Sequence, residues 1–388
     1  MKKIIVIVLI LNAVIYAKPT MSQRNYDLLM NAQKFIEHNK IKKAKEILNK
    51  LILVKNDYAK SYAYQYLANL SMQENDYKTT QKYYENIIKF NALDENNINR
   101  IKFSLSKILL SLEKYDKSIN LSQELLKNTK EFTLDLYESL IYAYYYKKEF
   151  KNAIVYSKKY NIQSEEKKEN IYQMLYSSYI ESKNYPEAIL VVNDMLKIWT
   201  HNQNYWLQLI SLYQETKQYK KALATIELSY KEKILDPVKN TQFYVNLLLQ
   251  NGLFQKGILV LERGIEKGYI KKDKKSFELL ISACLSAKEF DKAVIQMSHS
   301  QFAQNKKYKK ILANLYYNRH QYKSTINVLK SIPQTTKKEF DPEIHILLSL
   351  CYFESEDIKN TTVHLKKVYK SKKRKRAIEI AKTLQIKL

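Results

Sequence analysis

The sequence predicts an all-α array of stacked helical hairpins. Glycine is nearly missing, and one apolar pattern returns at an almost constant interval. Only four glycines occur in 388 residues, all between Gly252 and Gly268, together with five prolines. Sheets and Rossmann-type folds need glycine for hairpins, bulges and phosphate-hugging turns. Long helices joined by short turns do not. Apolar residues make up 45% of the chain, enough for a core in two or three ordinary domains or in one elongated array.

The recurring pattern is an aromatic or aliphatic residue three before a small one. It reads IKKA at 41, YKTT at 77, YDKS at 115, FKNA at 150 and YPEA at 185. It continues as YKKA at 219, FQKG at 254, FDKA at 290, YKST at 322 and IKNT at 358. The intervals are 36, 38, 35, 35, 34, 35, 36, 32 and 36 residues. Such a period marks a tetratricopeptide-type array, in which each unit is two antiparallel helices, A and B. The large residue closes the A–B turn, and the small one lets B lie close against A.

Thirteen before a joint stand Tyr64, Tyr137, Tyr172, Trp206 and Phe277 as wedges between helices. Ten before stand Leu67, Leu105, Leu140, Leu175, Leu209, Leu280, Leu312 and Leu348. Steps of three and four keep these on one helical face. The reading is a solenoid of about ten helix-turn-helix units over 18–370, wound as a right-handed superhelix.

The remaining punctuation agrees. Gly257 and Gly264 fall at the two positions of a B helix that take small residues. Pro186 sits in the first turn of another, where its missing N–H does no harm. Pro237, Pro333 and Pro342 fall between units, where helices are expected to stop. The segment SIPQTTKKEFDPE (331–343) is the longest link and the expected hinge. Over 371–388 a basic helix is expected to close the array, with Ala377, Ile380, Ala381 and Leu384 covering the core and KKRKR facing water.

At the N-terminus, Lys2 and Lys3 precede an apolar run from Ile4 to Tyr16, and Ala17 ends a cleavage site. Residues 1–17 therefore read as an export signal. Ile15 is bulky for the minus-three position, so an uncleaved inner-membrane anchor stays open. Either outcome places the chain in the periplasm. Cys284 and Cys351 lie two units apart, too far to bond, and read as small buried residues.

The formal net charge is +27, carried by 60 Lys and 6 Arg. Arginine is the group favoured for reading bases and clamping phosphates, so this split argues against nucleic acid. It leaves weak, salt-dependent contact with an anionic membrane surface.

Chemistry is not indicated. Neither a G-x-G-x-x-G nor a Walker loop is present. None of His38, His201, His299, His320, His345 and His364 has a second His at helix spacing or a nearby Cys pair, so no metal site is expected. Glu165 and Glu166 lie in a lysine-rich loop open to solvent, unlike an acid–base pair. No enzyme activity, cofactor or small-molecule substrate is expected.

The array offers a surface instead. Its A helices are expected to line a concave groove, and the positions twelve, eight and four before each joint give the lining. These are Gln65, Asn69 and Gln73; Glu138, Tyr142 and Tyr146; Gln173, Ser177 and Glu181. Further along come Leu207, Ser211 and Glu215, then Gln242, Asn246 and Gln250. Amides donate and accept toward an extended backbone, and tyrosines add contact area with a polar tip. A solvated polar face is the plainer alternative for each residue. The 33 tyrosines, clustered in SYAYQYLA (61–68) and YAYYYKKEF (142–150), are read mainly as packing groups.

Three phrases in the second half carry a resemblance: NYWLQLISLYQETKQYKKALATIELSYKEKIL (204–235), LVLERGIEKGYIKKDKKSFELLISACLSAKEFDKAV (259–294) and KKRKRAIEIAKTLQ (372–385). Over about 165–388 the chain resembles the tetratricopeptide component encoded beside some TonB–ExbB–ExbD systems. The first four units match the general repeat only. This chain departs at Thr80, Ser118, Thr325 and Thr361, where alanine is commoner. The resemblance implies a periplasmic protein assisting the inner-membrane motor that drives outer-membrane receptors for iron chelates and similar cargo. Its partner would be TonB or a periplasmic segment of ExbB or ExbD. The alternative expectation is a scaffold for another envelope assembly, such as peptidoglycan, pilus or outer-membrane biogenesis.

Overall fold

The computed structural model describes residues 21–334, 336 and 339–388, so the segment read as an export signal lies outside them. The described residues form twenty-one α-helices, a 3-10 turn at Gln301–Gln304 and no strand. Two compact units divide the chain, one through Thr200 and one from His201.

In the first unit the pairs are α1 (Gln23–Glu37) with α2 (Ile41–Leu51), α3 (Asp57–Gln73) with α4 (Tyr77–Phe90), and α5 (Glu95–Ser111) with α6 (Tyr115–Asn128). They continue as α7 (Thr133–Tyr146) with α8 (Phe150–Gln163) and α9 (Glu169–Glu181) with α10 (Tyr185–Ile198). The second unit begins with α11 (Gln203–Glu215) and α12 (Tyr219–Lys231), α13 (Pro237–Gln250) and α14 (Phe254–Glu266), and α15 (Lys274–Ser286) and α16 (Phe290–His299). It ends with α17 (Lys306–Tyr317) and α18 (Tyr322–Lys330), α19 (Pro342–Glu354) and α20 (Ile358–Tyr369), and a single α21 (Arg374–Thr383). Each unit is a stack of helix-turn-helix pairs of tetratricopeptide type.

All ten A helices stop in the same way. At the α7–α8 turn Lys148 takes a left-handed conformation (φ 63). Its N–H donates to Tyr145 O at 2.9 Å, and the Glu149 N–H donates to Tyr144 O at 2.8 Å. This pair of back-bonds satisfies two carbonyls that the helix end would leave bare. Gly252 makes the same turn between α13 and α14 (φ 74). Glycine suits it because no Cβ meets the backbone, yet Asn39, Asn75, Glu113, Lys148, Lys183, Lys217, Lys288, His320 and Glu356 fill the other nine. Scarce glycine predicted helices, but it gave no account of these turns. Each non-glycine residue there costs about 1 kcal/mol, which the burial of the hairpin offsets.

Three residues into each B helix sits the small side chain that the packing requires. Ala44, Thr80, Ser118, Ala153, Ala188, Ala222, Ala293, Thr325 and Thr361 are all 0% exposed, and Gly257 is buried. The four hydroxyls are satisfied without leaving the seam. Ser118 donates to Ser106 O of the A helix at 2.8 Å. Thr80 and Thr361 donate to Asp76 O (2.9 Å) and Asp357 O (2.8 Å) one turn back, and Thr325 does the same to Gln321 O at 3.1 Å. At Gly257 an added Cβ would stand 2.6 Å from the Leu249 methyl, so α14 rests directly on α13.

The prolines need one correction. Pro237 and Pro342 do not mark where helices stop; they open α13 and α19. Proline fits a first helical position because its φ is preset and that N–H is unpaired anyway. Asp236 and Asp341, extended as residues before proline are, cap these helices by accepting from Val238 N (2.9 Å) and Glu343 N (3.1 Å). At the C-terminus, Ala377, Ile380 and Ala381 of α21 are buried against Ile346, Leu365 and Val368, with Leu384 packed alongside.

Candidate peptide-binding face

Fifteen side chains were singled out on α3, α7, α9, α11 and α13, spaced by four along each helix. None is buried: Gln65, Asn69, Glu138, Tyr142, Gln173, Ser177 and Leu207 are half-buried, and the other eight are exposed. Neighbouring A helices touch through this set. From α7, Glu138 accepts from Lys168 Nζ at 2.7 Å, and Tyr142 Oη accepts from Asn170 Nδ2 of α9 at 2.5 Å. The Glu138 carboxylate pushes the Lys168 pKa up and keeps it charged. In the second unit Gln214 of α11 donates to Gln250 of α13 at 3.5 Å, and Gln242 donates to Asn246 at 3.2 Å.

Tyr146 is 55% exposed, with its ring stacked between Tyr142 and Tyr115, each centroid 6.2 Å away. Two tyrosines of the YAYYY run are therefore surface aromatics held in place by a third. Most of the others pack, as expected. Tyr66 is buried and donates to Gln33 at 2.8 Å, and burial with the Glu37 charge nearby pushes its hydroxyl up to about 12.

Although the chain carries +27, none of the fifteen is Lys or Arg and three are Glu. The equivalent place on α5 breaks the pattern. Phe103 stacks on Phe132 at 4.5 Å, and the Lys107 ammonium lies 4.3 Å above the Phe103 ring. This lining can take an extended, neutral or basic segment through amide hydrogen bonds and tyrosine faces.

Outside this face, sequence spacing missed one pairing. His345 of α19 and His364 of α20 meet with Nδ1 atoms 2.8 Å apart. Phe340 lies against the first ring at 4.9 Å and Tyr352 against the second at 5.6 Å. Nineteen residues and a turn separate the two histidines, so no helical period could reveal them. Among the described residues no group of three or more His, Cys, Asp and Glu is placed to hold a metal.

Both cysteines are fully buried and unpaired, and burial raises Cys284 to about 11 and Cys351 to about 12. The run Lys372 to Arg376 is exposed. Part of it is engaged locally: Lys373 pairs with Glu343 at 2.7 Å, and Arg374 lies over the Tyr369 ring and donates to its hydroxyl. No helix among the described residues is long and apolar enough to cross a membrane.

No family model matches the chain, and no curated protein matches it. Solved helical structures do. The structure of Naa15/Naa10 bound to HypK-THB matches at a TM-score of 0.51 and 15% identity, over 84% of this chain and 58% of that one. This chain thus spans little more than half of that relative's length. A tetratricopeptide repeat protein from Parabacteroides merdae matches at 0.39 and 14% identity, over 68% of this chain and 99% of that one. The C-terminal part of a TPR repeat-containing protein from Cytophaga hutchinsonii matches at 0.38 and 18%, over 81% and 98%. The likeness is one of fold: helical hairpins repeated in series.

Proposed function

We propose that this protein is a non-enzymatic scaffold of the periplasm that grips TonB, or a periplasmic segment of ExbB or ExbD, and so assists transport across the outer membrane. The observation that carries the reading is the A-helix face. On α3, α7 and α9 of the first unit, and separately on α11 and α13 of the second, it presents amides, tyrosines and glutamates and no Lys or Arg, in a strongly basic chain whose α5 carries Lys107 at the equivalent place. Such a face accepts an extended protein segment and rejects anionic ones. The phrases at 204–235, 259–294 and 372–385 supply the choice of partner, and the apolar run after Lys2 and Lys3 supplies the compartment. Iron-chelate uptake is the process that this assignment touches.

Affinity capture from native envelopes tests it. A TonB-system subunit should co-purify, and the Gln173→Lys/Glu181→Lys variant should lose that subunit while melting like the wild type. Capture without any motor subunit, together with normal iron-chelate uptake in a deletion strain, would overturn the assignment.

A further inference from the structure

The first unit contains a second feature that the A-helix face does not use. Between α6, α7 and α8 lies a hollow of about 770 Å³, open to solvent and lined by the exposed Lys127, Lys130 and Lys159, by the half-buried rings of Tyr137 and Tyr156, and by the amide side chain of Gln123. No carboxylate is among the lining residues. Nearby lysines behave differently: Lys102 pairs with Glu124 at 2.6 Å, Lys147 with Asp116 at 2.6 Å and Lys168 with Glu138 at 2.7 Å. Among the described residues, Lys127, Lys130 and Lys159 have no such partner. Three ammonium groups gathered at one hollow without a counter-charge repel each other, and a bound anion relieves that repulsion.

The wall is rigid as well as basic. Tyr156 is stacked on Tyr144 at 5.7 Å with an interplanar angle of 10°, and it leans on Tyr137 at 5.8 Å. Gln123 Nε2 ties the Tyr144 and Tyr156 hydroxyls together at 2.9 and 3.4 Å. The Lys159 ammonium lies 5.2 Å from the Tyr156 ring centre. A tyrosine face beside amide groups suits the C–H face and hydroxyls of a sugar ring, and the lysines suit an attached anionic group.

We propose that this hollow binds a phosphorylated saccharide, with the sugar against Tyr137 and the edge of Tyr156 and the phosphate among Lys127, Lys130 and Lys159. The proposal does not depend on the TonB assignment, since it uses other residues and another ligand.

Calorimetry on the full chain at low salt tests it, with glucose 6-phosphate as the probe and glucose and inorganic phosphate as its halves. The expected result is one-to-one binding of the sugar phosphate, at least about tenfold tighter than either half alone. Lys127→Gln/Lys159→Gln should weaken it by about tenfold or more while the circular dichroism melt stays unchanged. Tyr137→Leu should weaken glucose 6-phosphate but leave inorganic phosphate where it was.

Vesicles of phosphatidylcholine with phosphatidylinositol, set against phosphatidylcholine with phosphatidylglycerol, separate the two sources of such a group. Preference for phosphatidylinositol, together with binding of the free sugar phosphate, indicates a lipid headgroup that presents a ring of hydroxyls on phosphate. Binding of the free form alone indicates a soluble sugar phosphate. No saturable binding, equal affinity for inorganic phosphate and glucose 6-phosphate, or tighter binding of uridine monophosphate would each overturn the proposal.

Discussion

At the seam between A and B helices, ten positions 32 to 38 residues apart all bury a small side chain. Elsewhere on the A helices, the place twelve before five of the joints holds Gln65, Gln173 and Gln242 but also Glu138 and Leu207, none of them buried. Two helices can approach closely only if the residue between them is small, so the seam tolerates Ala, Gly, Ser or Thr and little else. Water tolerates almost anything. The seam therefore repeats itself along the chain, whereas the exposed face varies with whatever each repeat touches.

Truncation inside and outside the seam tests this contrast most strongly. Leu140 in α7 and Ile226 in α12 are 0% exposed. Leu140→Ala and Ile226→Ala should each cost about 2–5 kcal/mol, the loss of transfer energy plus a residual cavity. Gln173→Ala, on the open face, should stay within about 0.5 kcal/mol. Repeat arrays need not unfold in one step, so hydrogen exchange is the better reading. Protection should fall in α7 and α8 for the first variant and in α12 and its neighbours for the second. If Leu140→Ala exchanges like the wild type, the seam does not govern stability.

A second test uses the one seam that carries an imidazole pair. Burial lowers both His345 and His364 to about 4, and for His364 the neighbouring His345, Lys367 and Lys330 act in the same direction. Lys367 of α20 also lowers His345, while Asp341 at the start of α19 opposes it. Near neutral pH one Nδ1–H donates to the other Nδ1; with both rings protonated, two N–H groups would face each other. The folded pKa values lie below the unfolded value of about 6.5. Folding therefore favours the neutral rings, and their contribution is complete above that value and lost as pH falls toward 4. Protection factors in α19 and α20, exchange corrected for the intrinsic rate at each pH, should fall between pH 6.5 and 4. The same amides in His345→Leu/His364→Leu should change less over that range. A flat wild-type profile would contradict this.

The same contrast explains what could be read from residues alone. The helical-hairpin array was legible because its constraint is local and recurrent: a leucine ten before the joint, a small residue three after. Even the departures at Thr80 and Thr361 left the pattern readable, since a hydroxyl can return its proton to the carbonyl one turn earlier. The histidine pair was not legible, because two elements create it and neither carries a period. Nor was the lysine-lined hollow, whose lysines come from α6, the link after it, and α8. The tyrosines of that hollow looked like packing groups, and one of them, Tyr156, does pack while also lining it. The end states of the turns were hidden for a different reason. A left-handed residue is announced by glycine, and only one of the ten turns has it.

That last point gives the smallest expected effect and the closest comparison. Gly252 and Lys217 occupy the same place in consecutive turns, with φ 74 and 58. A Cβ at Gly252 would meet nothing within 4 Å, so Gly252→Ala reports the left-handed strain less the freedom removed from the unfolded chain and should destabilise by at most about 1 kcal/mol. Lys217→Gly runs in reverse, since the relieved strain and the freer unfolded chain both enter with the opposite sign. The two changes should therefore have opposite signs and similar sizes, read as changes in amide protection of α13 and α14 for the first and of α11 and α12 for the second. Shifts of the same sign would mean that the two turns do not share one backbone term. A gain from Gly252→Ala would mean that the left-handed turn costs an alanine less than the freedom it removes from the unfolded chain, and that the penalty assigned to the nine other turns is too large.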